Sequence, residues 1–394
     1  MASEEFELKP VNDDPSDNAK LLGHDVIVQT LKAFIESNEM ISSSSIAIHG
    51  DWGTGKTSIM TTLASKLDQD KIEVLFFEAW KYEYSNPSLA LIAEISNKYH
   101  GKDGELAKRI VEAAVYILTD KFLGVDVRTA TQILRGNAER ISSIVGDLET
   151  IVFQINKKLV IIIDDLDRCD VENSLQILAM MKLFLSIHNC IVIAAVDFNR
   201  LQQAWKMKYN VKDNDNDDGH DSRDYLDKIF QIRIGIPVPS QDRIKEYLLS
   251  LTNNMSDDLK EIFATFTPKN PRAIKRMLNL ISYRSYLLNS PHSIYSACLW
   301  TLLEQDFGNH NFVWFYERIS TEKSLANLIF DSNWETTRNT VNRTCPRPLL
   351  DKIDQEKLKK FVEHSHKLVQ QIGIIRNDLE QDFSTLYIAT NESR

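Results

Sequence analysis

The chain has 394 residues, 43% hydrophobic and 26% charged, with a net charge of −10. That mixture belongs to a folded globular protein with room for about two or three domains, and it excludes a disordered or fibrous chain. The acidic balance argues against a surface that coats nucleic acid throughout, and four scattered cysteines without a Cys-x-x-Cys pair indicate neither a disulfide framework nor a zinc module.

Residues 1–20 are polar and read as a loose arm; Met1–Pro10 is acidic without an apolar core, unlike a signal peptide. From Leu22 to Ile35, Val26, Ile27, Leu31 and Phe34 recur at helical spacing, so an amphipathic helix comes first. Five short apolar runs follow: Ser45–His49, Ile72–Phe77, Leu159–Ile163, Cys190–Val196 and Ile232–Val238. Runs of Ile and Val without polar alternation predict strands covered on both faces, and the helical patterns between them predict an α/β layer architecture. Trp80 to Lys158 is longer than a simple crossover needs, and Leu89–Ser96, Leu106–Leu118 and Ala130–Ile144 are helical in pattern, which predicts a helical insertion. Asp213–Asp224 is acidic, but its sixth position is Asp218 and its twelfth is Asp224, so it reads as a solvated loop rather than a calcium loop. From about Pro239 onward the pattern is helical, including Gln355–Phe383, where Leu358, Val362, Val369, Ile372, Ile375, Leu379 and Phe383 fall three, four or seven apart. Ser285–Leu303, the longest stretch free of Asp, Glu, Lys and Arg, contains Asn289, Pro291 and His292 and is not expected to span a bilayer.

The sharpest motif is Gly50-Asp51-Trp52-Gly53-Thr54-Gly55-Lys56-Thr57-Ser58, which satisfies G-x-x-x-x-G-K-[ST] between a predicted strand and a predicted helix. Glycines let the backbone curl around an anion with its N–H groups inward, and the helix that follows adds the positive end of its dipole. The pattern implies that Lys56 bridges the β- and γ-phosphates of a nucleotide and that the Thr57 hydroxyl ligates Mg²⁺.

A second motif, Leu159-Val160-Ile161-Ile162-Ile163-Asp164-Asp165, runs a buried strand into two carboxylates at the carboxyl edge of the sheet, where ligands of open α/β sheets bind. Side chains alternate along a strand, so the two acids cannot face the same way. Asp164 is assigned to the Mg²⁺ shell and Asp165 to positioning the attacking water; the alternative is that both merely cap the helix Val171–Phe184.

These segments together resemble the KAP family of P-loop NTPases. The resemblance also rests on Phe77-Glu78-Ala79-Trp80-Lys81-Tyr82-Glu83, Asp164-Asp165-Leu166-Asp167-Arg168-Cys169, Ala194-Ala195-Val196-Asp197, Tyr225–Gln231 before Ile236-Pro237, and Asn270-Pro271-Arg272-Ala273-Ile274-Lys275-Arg276, and it covers about residues 18–282. It implies an α/β three-layer sandwich of the additional-strand type. A mainly parallel five-stranded sheet would carry a helical insertion and an all-helical C-terminal region. It also implies ATP and Mg²⁺ as cofactors, hydrolysis coupled to a conformational switch, and, since the family includes bacterial proteins linked to phage exclusion, a place in antiviral defence. Many members carry transmembrane helices in the insertion; here its best apolar run, Ile110–Leu118, is too short and contains Glu112, so no membrane attachment is expected.

The implied organisation is a polar arm (1–20), a nucleotide-binding core (21–238) with its insertion at about 84–157, a helical subdomain (239–284) and a C-terminal helical domain (285–394). Asp197 either senses the γ-phosphate or caps the next helix. Arg272, at the family's late arginine, either reaches over the phosphates as a sensor or belongs to a solvated basic face with Lys275 and Arg276. Arg168, Arg200 and Arg223 are candidates for an arginine supplied to a neighbouring subunit, and Trp80 and Tyr82 are expected in the core. The expected function is a cytoplasmic Mg²⁺-dependent ATPase switch whose nucleotide state alters the helical region for a protein partner. The alternatives are a nucleotide-bound homo-oligomeric scaffold built on the Leu358–Phe383 stripe and a nucleic-acid-stimulated motor.

Overall fold

The computed structural model describes residues 8, 10–12, 22–37, 43–98, 145–150, 152–153, 156–208, 220–252, 255–288, 290–331 and 333–392. The predicted helices over Leu106–Leu118 and Ala130–Ile144, the Ile110–Leu118 run and Asp213–Gly219 lie outside them. The chain forms two compact units, one spanning His24–Pro237 and the other Val238–Arg394 with Leu8, residues 10–12 and residues 22–23.

In the first unit, α1 (Asp25–Glu36) leads into β1 (Ser43–His49), α2 (Lys56–Lys66) and β2 (Ile72–Glu78). A 3₁₀ segment (Ala79–Ser85) and α3 (Pro87–Lys98) follow. Next come β3 (Lys158–Asp164), a 3₁₀ turn (Leu166–Arg168), α4 (Val171–Phe184), β4 (Cys190–Val196), α5 (Phe198–Lys208), α6 (His220–Ile229) and β5 (Ile232–Gly235). The strands lie in the order β2-β3-β4-β1-β5, and every pairing is parallel, so the mainly parallel sheet is wholly parallel. β4 is the additional strand, inserted between β1, which enters the glycine loop, and β3, which ends in the acids.

Alternation along the strands sorts their side chains into two cores, and the sheet is the middle layer of three. Ile46 and Ile48 of β1 with Val160 and Ile162 of β3 meet Val28, Leu31 and Ile35 of α1 and Ile59 and Leu63 of α2. Ala47, Ile161 and Ile163 point the other way, onto Leu91 of α3, Leu178 of α4 and Ile229 of α6. Burial on both faces is the reason the three central strands read as unbroken apolar runs. The terminal strand β5 is only partly buried and stops at Gly235, three residues short of the predicted end at Val238. The loop expected over Asp213–Asp224 also ends early, because α6 begins at His220.

The second unit is all-helical: α7 (Gln241–Leu251), α8 (Asp257–Phe266), α9 (Pro271–Leu287), α10 (Ser293–Phe307), α11 (Asn309–Ser320), α12 (Leu325–Asp331), α13 (Trp334–Thr344), α14 (Arg347–Leu350), α15 (Gln355–Ile372) and α16 (Arg376–Glu392). Ser240, Ser256, Asn270 and Asp354 cap their helices through side-chain oxygens. One core runs from Ile244 to Leu386 around Trp300, whose ring meets Phe312 edge-on at 4.8 Å. Arg284, buried against Glu304 and Thr301, ties α9 to α10.

Two expectations change here. The Gln355–Phe383 stretch is two helices, broken at Gly373, whose left-handed backbone (φ 77°) ends α15. The periodicity hides the break because both helices turn most of their apolar side inward: Leu358, Val362, Val369, Leu379 and Phe383 are buried in the core of their own unit, whereas Ile372 is partly buried and Ile375, just past the break, is exposed. The N-terminal arm is not wholly loose. Leu8 is buried, and Asn279 of α9 receives a hydrogen bond from the Val11 amide (2.6 Å) and returns one to the Val11 carbonyl (2.9 Å). Replacing Ile162, fully buried in β3, with alanine should destabilise the sheet unit by about 3 kcal/mol in urea unfolding, whereas Tyr84→Ala, at a fully exposed position, should change it by less than about 0.5 kcal/mol.

Candidate functional site

The loop between β1 and α2 is shaped by its glycines. Gly53 (φ 83°) and Gly55 (φ 102°) adopt left-handed backbone that side-chain-bearing residues rarely take. A Cβ at Gly50 would lie 2.9 Å from Thr54 Oγ1, and one at Gly55 would lie 2.9 Å from the His24 ring. The loop closes on the Asp51 carbonyl, which accepts from the Thr54 amide (3.3 Å) and hydroxyl (2.8 Å). Lys56 opens α2 with its side chain buried, and its Nζ donates to the carbonyls of Gly50 (2.7 Å) and Asp51 (3.1 Å). Trp52 is exposed, and the Ser58 carbonyl takes the Thr62 hydroxyl at 2.6 Å within α2.

Asp164 has the same strand parity as Val160 and Ile162, so its carboxylate faces the α1/α2 layer, beside the Thr57 side chain. It accepts a hydrogen bond from the Asp165 amide at 2.8 Å. Burial, with the charge of Asp165 in addition, pushes its pKa from the ordinary 3.8 up to about 6; Thr57, the Asp165 amide and Arg168 oppose the rise. Asp165 sits in left-handed backbone (φ 55°), and its carboxylate pairs with Arg168 Nε at 2.8 Å.

Asp167 completes this turn and is missing from the predicted set. Its side chain is 3% exposed, and Oδ2 lies 3.9 Å from Lys56 Nζ. The one sequence signal for it is its place in the acidic run just after β3, where the 3₁₀ turn Leu166–Arg168 brings it beside Lys56. His24 and His49 also border the loop; His24 reaches it only through folding, whereas His49 directly precedes Gly50 in the chain. Burial of the His24 ring against Gly55 holds its pKa below 6.5. His49, at the end of β1, stands 3.2 Å from where a Gly235 Cβ would be. Its pKa is lowered by burial and by Arg233 and Lys56.

The remaining predicted residues are distributed as follows. Asp197 Oδ1 caps α5, accepting from the Asn199 amide (3.0 Å) and the Arg200 amide (3.3 Å), one of its two open readings. Arg272 lies in the first turn of α9, within the helical unit. Arg168 and Arg200 are engaged inside the chain: Arg168 holds Asp165 and lies over the Trp80 ring, and Arg200 Nη1 donates to the Asp167 carbonyl at 3.1 Å. Trp80 is 50% exposed rather than in the core, because the 3₁₀ segment after β2 turns it outward, whereas Tyr82 stacks on Phe77.

The model of the KAP family P-loop domain matches residues 24–288. The chain belongs to the KAP family. Its match takes in the glycine loop, both acids after β3 and the Asn270–Arg276 segment, so this KAP chain is a P-loop NTPase. No curated protein matches it. Solved structures similar to it include the Aeropyrum pernix ORC1 protein in complex with DNA, at 10% identity over 94% of this chain and 85% of that one, with a TM-score of 0.41. Another is a variant of Thermotoga maritima RuvB, at 13% identity over 92% of each chain and a TM-score of 0.37. Aquifex aeolicus DnaA bound to AMPPCP gives 13% identity over 89% of this chain and 93% of that one, with a TM-score of 0.36. Family membership rests on the 24–288 match alone. Among the described residues of the KAP chain, no helix is long and apolar enough to cross a membrane, and no group of three or more His, Cys, Asp or Glu side chains could hold a metal ion by itself.

The raised pKa of Asp164 makes its ionisation less favourable in the folded protein than in the unfolded chain. The folded state holds the proton more tightly than the unfolded chain, so ionisation costs stability from about pH 4 upward, and the full cost is present once pH passes about 6. In EDTA at pH 7.5, Asp164→Asn should therefore raise the unfolding free energy by about 2 kcal/mol, and the gain should vanish at pH 4, measured by urea titration at both pH values.

Proposed function

We propose that this KAP protein binds ATP with Mg²⁺ and hydrolyses it, acting as a nucleotide-driven switch. The observation that carries the reading is the placement of the buried Asp164 carboxylate, at the end of β3, next to the Thr57 side chain at the start of α2, beside the closed loop around Lys56. Thr57 and Asp164 offer hard oxygen donors, and Asp164 is a buried acid whose ionised form is costly without a cation, so the pair fits Mg²⁺. Mg²⁺ there would neutralise phosphate charge while keeping most of its ligands as water and phosphate oxygens, in accord with so few protein donors.

Residues of the chain divide the remaining work. The amides of residues 53–57 and the amino end of α2 hold the phosphates, and Lys56 contributes a positive charge from a buried stem. Asp165 orients the attacking water, with Arg168 fixing the direction of its carboxylate. Preference for ATP over GTP is supported by family likeness, and the partner that reads the switch is a protein.

Titration calorimetry should detect ATP binding to the wild type and no binding to Lys56→Ala; unchanged affinity in the variant would overturn the assignment. Asp165→Asn should keep ATP affinity within about threefold while phosphate release falls at least about a hundredfold. Full turnover in that variant would remove Asp165 from its role.

A further inference from the structure

Asp167 is the buried acid that this chemistry leaves unused. Its Oδ2 accepts no hydrogen bond from the described residues, yet it lies 3.9 Å from Lys56 Nζ, which makes an ion pair without a hydrogen bond. The Lys56 ammonium gives hydrogen bonds to the Gly50 and Asp51 carbonyls, and Asp167 supplies the charge. The backbone of Asp167 is fixed independently, since Arg200 binds its carbonyl. Asp165 is engaged by Arg168 and Asp164 lies beside Thr57, so among these three acids Asp167 is the one beside Lys56.

We propose that Asp167 is a positioning residue that competes with phosphate for Lys56 and thereby makes the loop discriminate against anions that arrive without a cation. The inference rests on the nucleotide reading above. When Lys56 turns to an anion, the contact it relinquishes most readily is the long one to Asp167. A buried carboxylate then stands uncompensated next to a second negative charge, which penalises the anion. A nucleotide that carries a divalent cation brings its own compensation, and the penalty shrinks. Asp167 thus sets the gap in affinity between metal-complexed and metal-free nucleotide, a specificity role rather than contact with the reacting atoms.

The test has two readouts. By calorimetry in EDTA, Asp167→Asn should bind ADP about tenfold more tightly than the wild type, while Mg²⁺·ADP affinity changes by less than about threefold; Asp167→Glu should restore the wild-type gap. A purely structural role predicts weaker binding of both forms, and equal or weaker ADP binding by Asp167→Asn overturns the competition. The second readout needs no nucleotide: Asp167→Asn should raise the urea midpoint in a Lys56→Met background, where the buried carboxylate has lost its partner, and lower it or leave it unchanged when Lys56 is present. Equal shifts in the two backgrounds would show that the pair is energetically empty and would overturn the proposal. Failure of the wild type to bind ADP in either condition would instead sink the nucleotide reading, with the urea cycle still deciding whether Asp167 is the counterion of Lys56.

Discussion

Three parallel strands in register, β1, β4 and β3, govern what the loop can do. Ile46 pairs with Ile193 and Ile162 pairs with Ile193 from the other side, so the strands advance together and finish level at one edge of the sheet. Because side chains alternate, level ends also bring matching faces together: Asp164 emerges toward the layer that contains α2, where Thr57 stands. A slip of one residue in β3 would turn that acid to the other face and put Asp165 in its place. The apolar pairing of Val160 and Ile162 with α1 and α2 prevents such a slip, so the packing of the core and the aim of the carboxylate are one requirement.

At that edge the protein concentrates opposite charges in little solvent. Lys56 is buried among carbonyls, Asp164 is buried among amide and hydroxyl donors, and Asp165 is tied to Arg168. Each group is compensated unequally: Lys56 has two hydrogen bonds and a long ion pair, whereas Asp164 still resists ionisation. An arrangement short of positive charge near Asp164 and rich in backbone donors near Gly55 suits a ligand that combines a cation with a polyanion.

Much of this was readable from residue types and spacing. The glycine pattern gave the loop, and Ile-rich runs gave β1, β3 and β4 almost to the residue, because burial on both faces leaves an uninterrupted apolar record. What escaped the reading was set by contacts distant in sequence. His24 lies against Gly55 although α1 and β1 separate them in the chain, Lys56 meets Asp167 from the far side of β4, and neither neighbour leaves a local pattern. Trp80 was misplaced for a different reason: hydrophobicity favours the interior, but a 3₁₀ segment at the end of an outer strand turns it toward water, where Arg168 covers one face. The break at Gly373 was masked because two successive helices can bury one continuous apolar stripe.

The attachment of the N-terminal arm to α9 carries an implication for how the chain matures during synthesis. Val11 and its partner Asn279 are separated by 268 positions, and the whole sheet unit lies between them. Once Pro237 has emerged from the ribosome, every strand of that unit is available, while the arm must wait for a helix still to be translated. Closure of the arm is therefore a late event, and it ties the arm to α9 only after the sheet unit has had time to form.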